Sequence, residues 1–186
     1  MGERKKTRQI LVGKVKMGGG APVTIQSMLN TPAEDFAASV EQAKRLEAAG
    51  CEIIRAAIPN LQSVPLIEHL KNAVSVPIVA DIHFDYRLAL EAVAAGVDKV
   101  RINPGNIGDE DRVRQVVQCC KQHNVPIRVG VNSGSLEKHI LAKYGHPTAQ
   151  AMVDSALYHV SLIEKYDYDQ IAISIKSSNV QTMIEA

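Results

Sequence analysis

Apolar runs of strand length alternate with amphipathic stretches of helix length along nearly the whole chain. That alternation restricts the fold to parallel α/β architectures. The runs CEIIRAA, VDKVRIN, PIRVGVN and IAISIKSS each follow a helical stretch, and each carries a cation: Arg55, Arg101, Arg128 and Lys176. Repeating βα units build a parallel sheet with right-handed crossovers, so the C-terminal ends of the strands converge on one face. Four like charges gathered there repel one another unless an anion neutralises them. Arg suits that task, because its planar fork of donors matches two phosphate oxygens at once. The pattern therefore predicts a site for a strongly anionic small molecule, most simply a phosphate ester.

Strand chemistry separates a barrel from a doubly wound sheet, whose strands are apolar on both faces. Period-two alternation puts Lys99, Arg101 and Asn103 on one face, with Val100 and Ile102 opposite. The same rule groups Arg128, Gly130 and Asn132, then Ser174 and Lys176, then Asp81 and His83, each against apolar neighbours. One polar inner face, polar toward the C-terminal end, is what a barrel with a site at its mouth requires.

The expected fold is α/β of the (β/α)8 TIM-barrel type, incomplete, with an N-terminal hairpin plus about six βα units. The hairpin is expected over residues 8–28, turning near Gly13 and the triple glycine Gly18-Gly19-Gly20, with a first barrel strand from Val23 to Met28. Thr31-Pro32-Ala33-Glu34 has the pattern of a capping box with Pro in the first turn, so the first helix is expected from there to Ala49, ending at Gly50. Strands are expected at 51–57, 77–82, 97–102, 125–131 and 169–175. Helices are expected at 61–73, 86–95, 109–123 and 148–165, with a short one near 135–144.

Lys and Arg total 21 against 20 Asp and Glu, and aromatics are 4%. That balance argues against a nucleic-acid partner, which calls for a basic face with stacking aromatics. The basic run Glu3-Arg4-Lys5-Lys6-Thr7-Arg8 reads as a solvated tail. No run is long enough for a signal peptide or a membrane span, so a cytoplasmic protein without a membrane partner is expected. Cys51, Cys119 and Cys120 form no C-x-x-C and read as small core residues rather than metal ligands.

Asp81 is the only inner-face acid near a strand end, too little to neutralise four cations. With His83 two positions on, it reads either as a pair orienting a substrate hydroxyl, His83 being hydrogen-bond partner or proton donor, or as half of a metal site whose third ligand is not visible. Asn103-Pro104-Gly105-Asn106 and Asn132-Ser133-Gly134-Ser135 read equally as plain turns and as polar lining of a pocket.

The segments VTIQSMLNT, IIRAAIP, VADIHFDYRLA, KVRINPGNIG, RVGVNSGSL and ISIKSS, in this order, closely resemble the 4-hydroxy-3-methylbut-2-en-1-yl diphosphate synthase family of the methylerythritol phosphate isoprenoid pathway. The resemblance runs from about Arg8 to the last residue. It implies reductive opening of 2-C-methyl-D-erythritol 2,4-cyclodiphosphate to the allylic diphosphate. By motif it assigns diphosphate binding to Arg55, Arg101, Arg128 and Lys176, with Asn103, Asn132 and Ser177 nearby. Asp81 and His83 match the residues that face the substrate's carbon skeleton. The resemblance also implies a [4Fe-4S] cluster fed by flavodoxin or ferredoxin and held by three Cys and a Glu of a separate C-terminal domain. In family homodimers that domain covers the partner's barrel mouth. On this reading residues 1–186 are an N-terminal substrate-binding barrel domain that stops short of the last barrel units and of any C-x-x-C, leaves a sheet edge unpaired, and does not reduce the substrate alone. A dihydropteroate-synthase-like transferase shares the hairpin and a diphosphate ester, but its pterin-reading residues are not evident. A non-catalytic anion-binding fragment is the other alternative.

Overall fold

The computed structural model describes residues 5–186; Glu3 and Arg4 of the basic N-terminal run lie outside the described residues. The end of that run is tied down rather than free. Arg8 pairs with Asp169 at 2.6 Å, and the Thr7 hydroxyl accepts from the Gly19 amide at 3.1 Å.

The hairpin pairs β1 (Ile10–Val12) antiparallel with β2 (Val15–Met17). Six parallel strands follow, each beside the next in sequence: β3 (Gln26–Met28), β4 (Ile53–Ala57), β5 (Ile78–Asp81), β6 (Lys99–Ile102), β7 (Ile127–Asn132) and β8 (Ile171–Lys176). The helices between them are α1 (Phe36–Ala48), α2 (Leu66–Ala73), α3 (Tyr86–Ala94), α4 (Glu110–His123), α5 (Lys138–Tyr144), α6 (Ala149–Glu164) and α7 (Val180–Glu185). Sequential order with a helix after each strand is the barrel arrangement.

Three expected boundaries move, two of them for a local reason. The first helix starts at Phe36, not at Thr31, because the Asp35 carboxylate accepts from the Ala38 amide at 3.0 Å and caps it. The Thr31 hydroxyl instead bonds that of buried Ser39 at 2.7 Å. The expected helix 61–73 is two pieces, a 3₁₀ turn Leu61–Ser63 capped by Asn60 and then α2. Pro65 has no amide hydrogen with which to carry a helix through that junction. The first barrel strand is also shorter than expected, with Val23 81% exposed before it.

The two strand faces bury different things. Ile54, Ala56, Ile78, Ala80, Val100, Ile102, Ile127 and Val129 turn outward into one large core with the helices. Inward, Ile53 and Val79 pack on Val12 of the hairpin, with Val15 and Met17 beside them. The hairpin thus closes the N-terminal end of the sheet's inner face. Polar inner residues sit beyond that apolar floor, toward the C-terminal ends.

Candidate functional site

Asp81 sits at the centre of the inner face. Its side chain is almost fully buried and accepts from Arg55 Nη2 at 2.5 Å, from Arg101 Nη1 at 3.2 Å, and lies 3.1 Å from His83 Nε2. Strand register explains the arrangement: Asp81 is the Cα partner of Ala57 on one side and of Arg101 on the other, and Arg101 is the partner of Arg128. Side chains of like parity on adjacent parallel strands share a face. Gly130 makes this possible, since a Cβ there would lie 2.5 Å from Arg101 Nε and 2.6 Å from its Nη2. The guanidinium lies over a position that carries no side chain.

The carboxylate does not balance its surroundings. Arg55 and Arg101 share it, Arg128 feels it only through space, and Lys99, with 0% exposure, is a further inner-face cation. Burial, then Arg55 and Arg101, lower the Arg128 pKa against the pull of Asp81. Burial, then Arg128 and Arg55, lower Lys99 to about 8. Arg55 Nε is buried without a hydrogen-bond partner. Excess positive charge and an unmet donor are what an anion would satisfy.

Above this cluster is a pocket of about 210 Å³ lined by His83, Phe84, Arg101, Asn103, Asn132 and Ser135, among others. His83 is 55% exposed at its side chain, so it bridges buried Asp81 and solvent. Asn103 is buried, and its Oδ1 accepts from the Gly105 amide at 3.1 Å, which fixes the turn after β6. Asn103 thus both fixes its turn and lines the pocket, and Asn132 and Ser135 of the second loop line it too.

The four expected cations do not form one ring at the strand ends. Arg128 is the second residue of β7, well below the rim. Lys176 pairs with Asn132, four residues further along than Arg128, and is exposed. At about 3.3 Å per residue its backbone stands roughly 13 Å higher along the strand direction. Ser177 lines a separate open cleft of about 580 Å³ with Ser133, His146 and Thr148. Period-two counting gives the face of a residue but not its depth.

Counting strand-end cations overlooked Lys99, although its parity with Arg101 is plain in the sequence. A second group escaped notice. Glu137, in the loop after β7, accepts from Ser155 Oγ at 2.7 Å and meets His159 Nε2 at 2.5 Å, both on α6. Burial opposes the charge of Glu137, but hydrogen bonds from Ser155 and its own backbone and the nearby His159 hold its pKa below the usual value. Burial lowers His159 although Glu137 pulls the other way. His159 backs the turn after β6, where a Cβ on Gly105 would lie 2.8 Å from its Cε1. No short-range sequence pattern links Glu137, His159 and Gly105.

The chain's cysteines do not fit an iron–sulfur cluster. Cys51 donates to the Ile53 carbonyl at 3.1 Å, and burial raises both Cys119 and Cys120, disfavouring the thiolates that ligate iron. Among the described residues no three His, Cys, Asp or Glu side chains form a group able to hold a metal ion. Also among them, no helix is long and apolar enough to cross a membrane.

The fold recurs in solved structures of low sequence identity. The 7,8-dihydropteroate synthase from Vibrio fischeri superposes with a TM-score of 0.65 at 16% identity, covering 90% of this chain and 66% of that one. A truncated form of 3-deoxy-D-arabino-heptulosonate 7-phosphate synthase from Thermotoga maritima gives 0.62 at 18%, covering 94% of this chain and 59% of that one. These likenesses concern the fold alone. Similarity is far higher to proteins named 4-hydroxy-3-methylbut-2-en-1-yl diphosphate synthase (flavodoxin). That of Psychromonas ingrahamii is 51% identical over 98% of this chain and 50% of its own length. That of Fusobacterium nucleatum is 52% identical over 98% and 51%. The chain therefore spans about half the length of the curated relatives it matches. With the GcpE TIM-barrel domain matched across residues 7–186, over a parallel sheet whose strands alternate with helices, the chain belongs to the GcpE TIM-barrel domain family.

Proposed function

We propose that this chain is the substrate-binding barrel domain, residues 1–186, of a 4-hydroxy-3-methylbut-2-en-1-yl diphosphate synthase, and that it binds 2-C-methyl-D-erythritol 2,4-cyclodiphosphate. The observation that carries the reading is the charge imbalance inside the barrel, where Arg55, Lys99, Arg101 and Arg128 face one carboxylate, Asp81. In this reading Arg55, Arg101 and Arg128 hold the diphosphate, since charge-assisted bonds to phosphate oxygens are stronger than neutral ones. Asn103 and Asn132 supply amides at the pocket wall. Lys176 and Ser177 form an outer lip that meets the ligand only as it enters.

Asp81 and His83 are the candidate catalytic pair. Asp81 holds the imidazole through Nε2, and His83 reaches solvent, where it can pass a proton to a departing oxygen. Binding of the diphosphate by Arg55 and Arg101 would loosen their hold on Asp81 and leave that carboxylate to orient His83. The reading assigns electron delivery to a [4Fe-4S] cluster of a C-terminal domain outside this chain, fed by flavodoxin or ferredoxin, in a cytoplasmic homodimer. The residues described here do not hold that cluster, and their part is to bind and orient the ligand. The relatives' own names, which specify flavodoxin, support that donor.

Calorimetry of this chain with the cyclodiphosphate tests the reading. Binding is expected, and Arg101→Ala is expected to abolish it. Unchanged affinity in that variant overturns the assignment.

A further inference from the structure

We propose that Lys99 is the proton-coupled floor of this anion site: it takes up a proton when an anion binds above it. The inference rests on the reading of the Arg cluster as a diphosphate site and deepens it.

Lys99 is an unusual lysine to find in a core. It has 0% exposure, is the first residue of β6, and shares the inner face with Arg101. It makes no ion pair among the described residues. Its Nζ has a thioether for a partner, Met17 Sδ of the hairpin at 3.5 Å. The charged groups acting on it are Arg128 of β7 and Arg55 of β4, both of its own sign. Asp81 of β5 is committed to Arg55, Arg101 and His83. A lysine kept for stability would pair with a carboxylate or reach solvent with its head. This one does neither. Its stem could be a methionine if only volume mattered.

Desolvation, with Arg128 and then Arg55, brings its pKa to about 8. The ligand-free site therefore holds Lys99 partly uncharged just above neutral pH. A diphosphate on the guanidinium groups reverses the sign of the local field and favours the ammonium. The proton comes from solvent, and no covalent bond changes. By linkage, a group half protonated when free and fully protonated when bound takes up about half a proton at pH 8, and more at pH 8.5.

The test is calorimetry of the chain with the 2,4-cyclodiphosphate at pH 8.5 in two buffers of different ionisation enthalpy. Each phosphorus of that ligand carries one ester link, one anhydride link and a single strongly acidic hydroxyl, so the ligand does not titrate there. The wild-type chain should take up more than half a proton. Lys99→Met, and Lys99→Gln as a second variant, should bind with that uptake largely lost. Binding with equal uptake in wild type and variants, or with none in wild type, overturns the role of Lys99 and leaves the Arg site standing. Absence of wild-type binding overturns both. If neither variant folds, NMR titration of the labelled Lys99 side chain decides. A midpoint near 8 that rises with ligand supports the proposal, and an ordinary lysine midpoint in the free chain overturns it.

Discussion

Gly130 is small because Arg101 lies across it, and the clash defines what an added methyl would do. The atoms a Cβ would meet are the far end of a flexible side chain, Nε, Nη2 and Cζ of Arg101, not backbone. Gly130→Ala should therefore displace the guanidinium rather than unfold the sheet. Cyclodiphosphate affinity is expected to fall by at least about tenfold, roughly 1.4 kcal/mol, with an unchanged circular dichroism spectrum. Calorimetry checks it. Lys99 gives a second expectation. Its pKa is lower folded than unfolded, so the unfolded chain binds more protons between about pH 8 and 10.5. Stability contributed by this group therefore rises with pH across that window, and below it the full cost is present, roughly 3 kcal/mol. Lys99→Met should be more stable than wild type at pH 7, with the gap closing by pH 10 in urea titrations.

At the level of segments, α1 shows how two caps compete. Thr31 and Glu34 make a plausible box, yet Asp35 takes the cap and Thr31 turns to Ser39. Both patterns obey the same local rule, and the position of Phe36 against the core selects between them. Asp35→Ala should cost about 1 kcal/mol in urea denaturation, the usual value of a lost N-cap. Removing the carboxyl of Glu34, which instead accepts from Asn60 at 2.7 Å on the surface, should cost less than half of that. The pairing of α6 with the loop after β7 follows a similar logic. Glu137, Ser155 and His159 meet because that loop folds back on α6, so their contact depends on the crossover and not on spacing along the chain.

Across the molecule, the described sheet has two unpaired edges, β3 and β8. Ile173 on β8 is 50% exposed and Ile25 beside β3 is 62% exposed. Unpaired strands with exposed apolar side chains template association. Light scattering of this chain should increase with concentration, and Ile173→Lys should lower it without changing the far-ultraviolet spectrum.

The alternation of apolar runs and helical stretches was enough to give the barrel class, the hairpin and the inner-face parity of Arg55, Asp81, Arg101 and Arg128. Period and polarity are local properties, written residue by residue. Depth, pairing and field are not. That Lys176 stands at the rim while Arg128 lies deep comes from strand register. That Asp81 is shared by two arginines and a histidine, and that Lys99 is sealed over Met17, comes from how the sheet curls onto the hairpin. Electrostatic energy depends on distance and desolvation, and both exist only once the strands are side by side.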